Sequence, residues 1–150
     1  MQKADGMNYA PVSQGVRHVV CSGDTFPIGV IGLDHGHIYA MCNGLLEAGA
    51  KLVSVYDPDP EKVKAFQKQY PQVNVAVSEK EILENKEIRL IASAIRPDLR
   101  CSLGIRVMEH GKDYFADKPG MLSMEEIDAA RKTCKRTGMK YMIYFGPAAD

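Results

Sequence analysis

Phe26-Pro-Ile-Gly-Val-Ile-Gly-Leu-Asp-His-Gly-His-Ile-Tyr39 is the stretch on which the fold of this chain turns. Ile28, Val30 and Ile31 make an apolar, β-branched run of the kind that fills a strand buried on both faces. Glycines at 29, 32 and 36 follow or interrupt it, and a helical pattern begins directly after. Strand, tight turn and helix in that order open a doubly wound α/β domain. The turn gathers backbone N–H groups at a helix N-terminus, a natural seat for a phosphate.

The same alternation repeats downstream. A helix is expected from about His35 to Glu47, with Ile38, Met41, Cys42, Leu45 and Leu46 on one face and Gly49 past its end. Lys51 to Tyr56 is a second strand, closed by Asp57-Pro-Asp-Pro60, with Asp59 as cap of a helix that buries Val63 and Phe66. Val73, Val75 and Val77 alternate as a short third strand, and Ser78 with Glu81 forms a capping box. Residues 88–95 form a fourth strand, followed by a helix with Leu99, Leu103, Val107 and Met108 inward. Lys112 to Ala116 is a fifth strand, ending in the turn Asp117-Lys-Pro-Gly120. Ser123 and Glu126 start a helix that Gly138 stops, and Met139 to Phe145 is a sixth strand. Strands alternating with helices predict a mainly parallel six-stranded sheet, Rossmann-like, in the order 3-2-1-4-5-6, with helices on both faces. The domain expected is 25–146. Residues 1–24 form a loose leader, with Val16 to Cys21 a candidate extra strand, and residues 147–150 start a linker to a further domain.

Composition narrows the function classes. Of 150 residues, 45% are apolar and 25% charged, and nineteen basic residues balance nineteen acidic ones, so no net field favours nucleic acid or an anionic membrane. No apolar run approaches the ~20 residues that span a bilayer, and a cytoplasmic setting is expected. Cys21, Cys42, Cys101 and Cys134 form no C-x-x-C pair and are expected to be free thiols.

As a dinucleotide fingerprint the turn is incomplete. Gly32 holds the first glycine position, but Asp34 and His37 hold the other two. Asp34 puts a Cβ and a negative charge where a pyrophosphate would approach; as N-cap of the helix its carboxylate would take the N–H of Gly36 or His37. Asp57 stands at the end of the second strand, roughly 25 residues after Gly32, where a carboxylate accepts ribose hydroxyls and repels a 2′-phosphate, favouring NAD over NADP. Asp59 suits the capping role better, which leaves Asp57 free for a ligand. Asp34, His35 and His37 also raise a metal reading. Helical spacing turns His35 away from the other two, His18 and His110 lie far along the chain, and a structural zinc wants about four ligands, so no metal is expected. Instead, His37 is expected to pack at the edge of the core and His35 to face the cleft or solvent. The opposite wall of the crevice is built from the tips of strands four and five. Lys118 there, fixed by Pro119, can hold a ribose hydroxyl or polarise a substrate oxygen. Arg96 is a weaker candidate, and Arg100 is placed on the wetted side of its helix.

From about Pro27 to Phe145 the chain resembles the glucose–fructose oxidoreductase, inositol dehydrogenase and rhizopine-catabolism family (Gfo/Idh/MocA). The features that carry the resemblance are Ile28-Gly-Val-Ile-Gly-Leu33, Val-Tyr-Asp57-Pro-Asp, Pro97-Asp-Leu99 and, most specific, Glu109-His-Gly-Lys-Asp-Tyr-Phe-Ala-Asp-Lys-Pro119. The last is similar to the family's E-x-G-K-x-V-x-x-E-K-P segment, with Asp117 in place of Glu. The resemblance implies an NAD(P)-dependent oxidoreductase acting on a sugar, polyol or related hydroxy or carbonyl compound. It implies a phosphate-turn role for Gly32, a ribose role for Asp57, and a place beside nicotinamide and substrate for Lys118, the expected catalytic group. Ile95 and Arg96 stand where the family has a Thr-Pro or Asn-Pro pair against the cofactor. The set expected at the dinucleotide is thus Gly32, Asp34, His35, His37, Asp57, Ile95, Arg96, Lys118 and Pro119.

The family's acid/base histidine and substrate pocket reside in a second α/β domain, so this portion is expected to bind nucleotide without turning over substrate. The alternative is a non-catalytic nucleotide-binding or regulatory domain of the same fold. Self-association through apolar surface around Tyr141–Phe145 is a further expectation.

Overall fold

In a computed structural model, which describes residues 19–146, a six-stranded sheet carries five helices. The strands are β1 (Pro27–Ile31), β2 (Lys51–Tyr56), β3 (Asn74–Val75), β4 (Leu90–Ser93), β5 (Asp113–Asp117) and β6 (Tyr141–Tyr144). The helices are α1 (His37–Glu47), α2 (Pro60–Gln69), α3 (Glu79–Glu84), α4 (Pro97–Glu109) and α5 (Met124–Thr137). The order is β3-β2-β1-β4-β5-β6 and every pairing is parallel, as the alternating pattern predicts.

Period-two alternation in the central strands divides the core. Ile28, Val30, Leu90 and Ala92 pack against Ile38, Met41, Cys42, Val63 and Phe66, the inward faces of α1 and α2. Ile31, Ile91 and Tyr114 point the other way, against Ile82 and Leu83 of α3 and Leu103, Val107 and Met108 of α4. Gly104 lets α4 lie close on β5: a Cβ there would sit 2.4 Å from Cδ1 of Tyr114.

Local signals hold where side chains meet their own backbone. Ser78 accepts from Glu81 N–H, Ser123 from Glu126 N–H and Asp59 from Glu61 N–H, each capping its helix as expected. Several expectations are corrected. Val77 is 88% exposed and outside β3, because Ala76 takes the inward position after Val73. Leu99 is exposed while Arg100 is buried, so the stripe of α4 is rotated at its start. Val19 to Cys21 form no strand. Instead the N–H groups of Val20 and Cys21 both donate to the Ala48 carbonyl at the end of α1 (2.9 and 3.2 Å). The rest of the expected leader and the expected linker at 147–150 lie outside the described residues.

Candidate functional site

The carboxyl ends of β1, β4 and β5 converge where the strand order reverses, the place at which open α/β sheets bind ligands. Gly32 makes the first turn. Its φ is +93°, and a Cβ would lie 2.5 Å from Cβ of Ile95, so only glycine fits both the backbone and the approach of the β4–α4 loop. Ile95 is therefore the wall behind the turn. Gly32 N–H donates to Tyr56 O (3.0 Å), Ala94 N–H to Gly32 O (3.1 Å) and His35 N–H to Ala94 O (3.0 Å), stitching three strand ends together.

α1 starts at His37, two residues later than the periodicity suggests, with Gly36 as a cap that has no side chain to offer. Asp34 is not the cap. Its carboxylate turns away from α1: Oδ1 accepts from Lys62 Nζ (2.7 Å) and Oδ2 from Arg96 N–H (2.9 Å). Sequence reasoning missed this because both partners are brought in by other crossovers. Partial burial works against the Asp34 anion, but the bonds from Lys62 and Arg96 outweigh it and hold the carboxyl below its ordinary value. The same bond to Asp34 raises the Lys62 ammonium. The charge expected to repel a pyrophosphate is thus neutralised, and the N–H groups of Asp34 and Gly36 have no protein partner among the described residues.

Asp57 is 8% exposed at the tip of β2. Oδ2 accepts from Leu33 N–H and Oδ1 from Asp59 N–H, each at 2.8 Å. It is not free, as the sequence reading had it. Each oxygen has one backbone partner and keeps a second lone pair, and the carboxylate locks the glycine turn to the β2–α2 loop.

Asp117, the last residue of β5, is 1% exposed and anchors the far wall. Oδ1 accepts from Lys118 N–H (2.8 Å) and lies 3.0 Å from Nδ1 of His37. Oδ2 lies 3.5 Å from Nδ1 of His35 and 3.6 Å from Nη2 of Arg100. Far from the wetted side, Arg100 is 2% exposed: its guanidinium donates to the carbonyls of Ile95 (2.6 Å), Lys118 (2.7 Å) and Pro119 (3.2 Å). It ties the β4 tip to the Lys118-Pro119 turn, where the peptide bond is cis. Lys118 and Pro119 are exposed on that turn, and the side chain of Arg96 pairs outward with Asp98 at 2.8 Å.

His35 is not turned away from His37. Residues 34–36 are not helical, so the two rings come together with centroids 4.1 Å apart, both beside Asp117. His37 is half-buried, with Tyr144 edge-on to its ring at 5.9 Å. Besides Lys62, Asp117 and Arg100 are residues of the site whose roles the sequence reading did not assign. The signal that could have found them is a charged residue at an inward strand or helix position.

Residues 26–145 match the family described as "Oxidoreductase family, NAD-binding Rossmann fold" (GFO_IDH_MocA). The chain is 31% identical over 104 residues to scyllo-inositol 2-dehydrogenase (NAD(+)) of Bacillus subtilis, covering 67% of this chain and 30% of that protein. Among solved structures, a protein assigned as an oxidoreductase from Erwinia carotovora atroseptica is 36% identical with a TM-score of 0.78, over 81% of this chain and 36% of that one. One assigned as a myo-inositol dehydrogenase from Sinorhizobium meliloti is 25% identical with a TM-score of 0.69, over 80% and 36%. The chain thus spans about a third of the length of these relatives. By the family match over residues 26–145, this chain belongs to the Gfo/Idh/MocA oxidoreductases and forms their NAD(P)-binding Rossmann domain.

Proposed function

We propose that the chain supplies the cofactor-binding part of an NAD-dependent dehydrogenase acting on a sugar, a polyol or a related hydroxy or carbonyl compound. The observation that carries this reading is Asp57: a buried carboxylate at the β2 tip, oriented by Leu33 N–H and Asp59 N–H, with lone pairs left for ribose hydroxyls. A 2′-phosphate would meet the same negative charge, which favours NAD over NADP. The unpartnered N–H groups of Asp34 and Gly36 take the pyrophosphate at the N-terminus of α1. Ile95 and Arg96 border the adenosine side, while His35, His37, Lys118 and Pro119 border the nicotinamide side. The bound dinucleotide supplies the hydride acceptor. Lys118, whose backbone is fixed by Arg100 through its carbonyl and by Asp117 through its N–H, donates a hydrogen bond to the reacting substrate oxygen. The inositol dehydrogenase among its relatives supports a cyclic polyol as the substrate class.

A second reading, a nucleotide-binding domain without turnover, is favoured by one observation. Asp34 ties the turn to Lys62 and to the β4–α4 loop, narrowing the adenosine side. Calorimetric titration with NAD⁺ and NADP⁺, for the wild type and Asp57→Ala, tests the main reading. Saturable NAD⁺ binding that weakens in the variant and exceeds NADP⁺ binding supports it. No binding of either nucleotide by the folded chain overturns it.

A further inference from the structure

We propose that His35 is a proton-operated gate on dinucleotide binding. Neutral, its ring covers the first N–H of α1; on taking up a proton it turns to Asp117 and opens that N–H to the pyrophosphate. The inference rests on the cofactor reading above and adds regulation to the same site.

The gate is one ring nitrogen with two alternative partners. The N–H of His37, the first residue of α1, donates to Nδ1 of His35 at 3.0 Å. That nitrogen therefore carries a lone pair, and the hydrogen of the neutral ring is on Nε2. Oδ2 of Asp117 lies 3.5 Å from the same Nδ1. With no hydrogen between them, these two acceptors make no bond. A proton on Nδ1 reverses both relationships. Nδ1–H and His37 N–H become two donors facing each other, while Asp117 Oδ2 gains a charge-assisted hydrogen bond. The Asp117 side chain is 1% exposed and held by Lys118 N–H, whereas that of His35 is 53% exposed, so the ring is the part that moves.

The other charged and titratable neighbours leave the switch to His35. Arg100 Nη2 stands 3.6 Å from Asp117 Oδ2 and supplies a fixed charge. The His37 ring, its centroid 4.1 Å from that of His35, donates from Nδ1 to Asp117 Oδ1 at 3.0 Å, since a carboxylate only accepts. Neutral and charged imidazole make that bond alike, so His37 keeps its partner in either state. Asp34, next along the chain, has its carboxylate engaged by Lys62 Nζ and Arg96 N–H. With His35 neutral, the turn offers the N–H groups of Asp34 and Gly36, which have no protein partner among the described residues. With His35 charged, it offers His37 N–H as well, beside a new positive charge. The doubly charged pyrophosphate therefore binds the protonated form more tightly. By linkage, NAD⁺ binding draws in a proton, and affinity rises as pH falls through the range in which imidazoles titrate.

Calorimetric titration of the chain with NAD⁺, in two buffers of different ionisation enthalpy, tests the coupling. The expected result is uptake of a fraction of a proton per NAD⁺ at about pH 7. Binding should be about five- to tenfold tighter at about pH 6 than at about pH 8.5. His35→Asn, whose Oδ1 accepts from His37 N–H but takes no proton, should show no uptake and keep the wild type's high-pH affinity throughout. His110→Ala, an exposed histidine at the end of α4, should leave the linkage as it was. In NMR spectra of the nucleotide-free chain, the His37 amide should lose its hydrogen-bonded shift in step with titration of the His35 ring. NAD⁺ binding without proton uptake, uptake that persists in His35→Asn, or a His37 amide that does not follow the His35 ring overturns the gate and leaves the cofactor reading standing. No NAD⁺ binding at any pH by the folded chain overturns the cofactor reading and the gate with it.

Discussion

Arg100 in the first turns of α4 and Asp117 at the end of β5 face each other at 3.6 Å, both almost wholly buried. Removing one member of a buried pair leaves the other charge without compensation, at a typical cost of about 3–5 kcal/mol. Arg100→Met should fall in that range by urea unfolding. It should also weaken NAD⁺ binding, because the Lys118 and Pro119 carbonyls lose their donor. Arg100→Lys, which keeps the charge but not the planar fork, should cost less. A stability loss equal for both variants would mean that the geometry of the fork, not its charge, is what Arg100 supplies.

Gly32→Ala meets two obstacles at once. The φ of +93° is unfavourable for any residue with a Cβ, and that Cβ would collide with Ile95. Together these should destabilise the domain by about 2–4 kcal/mol. At Gly36, which has open space around its Cβ position and no positive φ, alanine should be tolerated. Thermal unfolding of the two variants side by side checks the contrast.

The Asp34 carboxylate contributes in a pH-dependent way. Folding lowers its pKa, so its contribution is complete above the ordinary carboxylate value of about 3.9 and fades as pH falls through the lower folded value. Asp34→Asn should therefore lower the urea midpoint slightly at neutral pH, and the difference from wild type should shrink and vanish as pH falls through the lowered folded value. High salt should shrink it as well, since the Lys62 partner is solvent-accessible.

The thiols should sort by burial. Burial pushes Cys42 up to about 12 and Cys101 up to about 11, so neither offers thiolate near neutral pH. Cys21 and Cys134 are only partly buried. Mass spectrometry after brief alkylation of the native chain should find Cys21 and Cys134 labelled first, with Cys42 labelled only on unfolding.

The sequence by itself determined the fold. Strand and helix periodicities, the three side-chain caps at Asp59, Ser78 and Ser123, and the glycine after β1 are local signals, each set by a residue and its neighbours along the chain. Parallel order 3-2-1-4-5-6 followed from their alternation and from right-handed crossovers. The Asp-Lys-Pro turn and the carboxylate after β2 were legible for the same reason, since their meaning lies in where a strand ends. Only the tertiary structure decided what the charged groups do. Asp34 reads as a helix cap until Lys62 and the β4–α4 loop arrive to bind it. Arg100 reads as a surface residue until the carbonyls of Ile95, Lys118 and Pro119 surround its guanidinium. His35 and His37 read as pointing apart until a non-helical turn brings both against Asp117, eighty residues beyond His37. The physical reason is range. Periodicity and capping are contacts over a few residues, whereas charge and hydrogen-bond complementarity at the sheet edge is fixed by partners that only the crossovers bring within 4 Å.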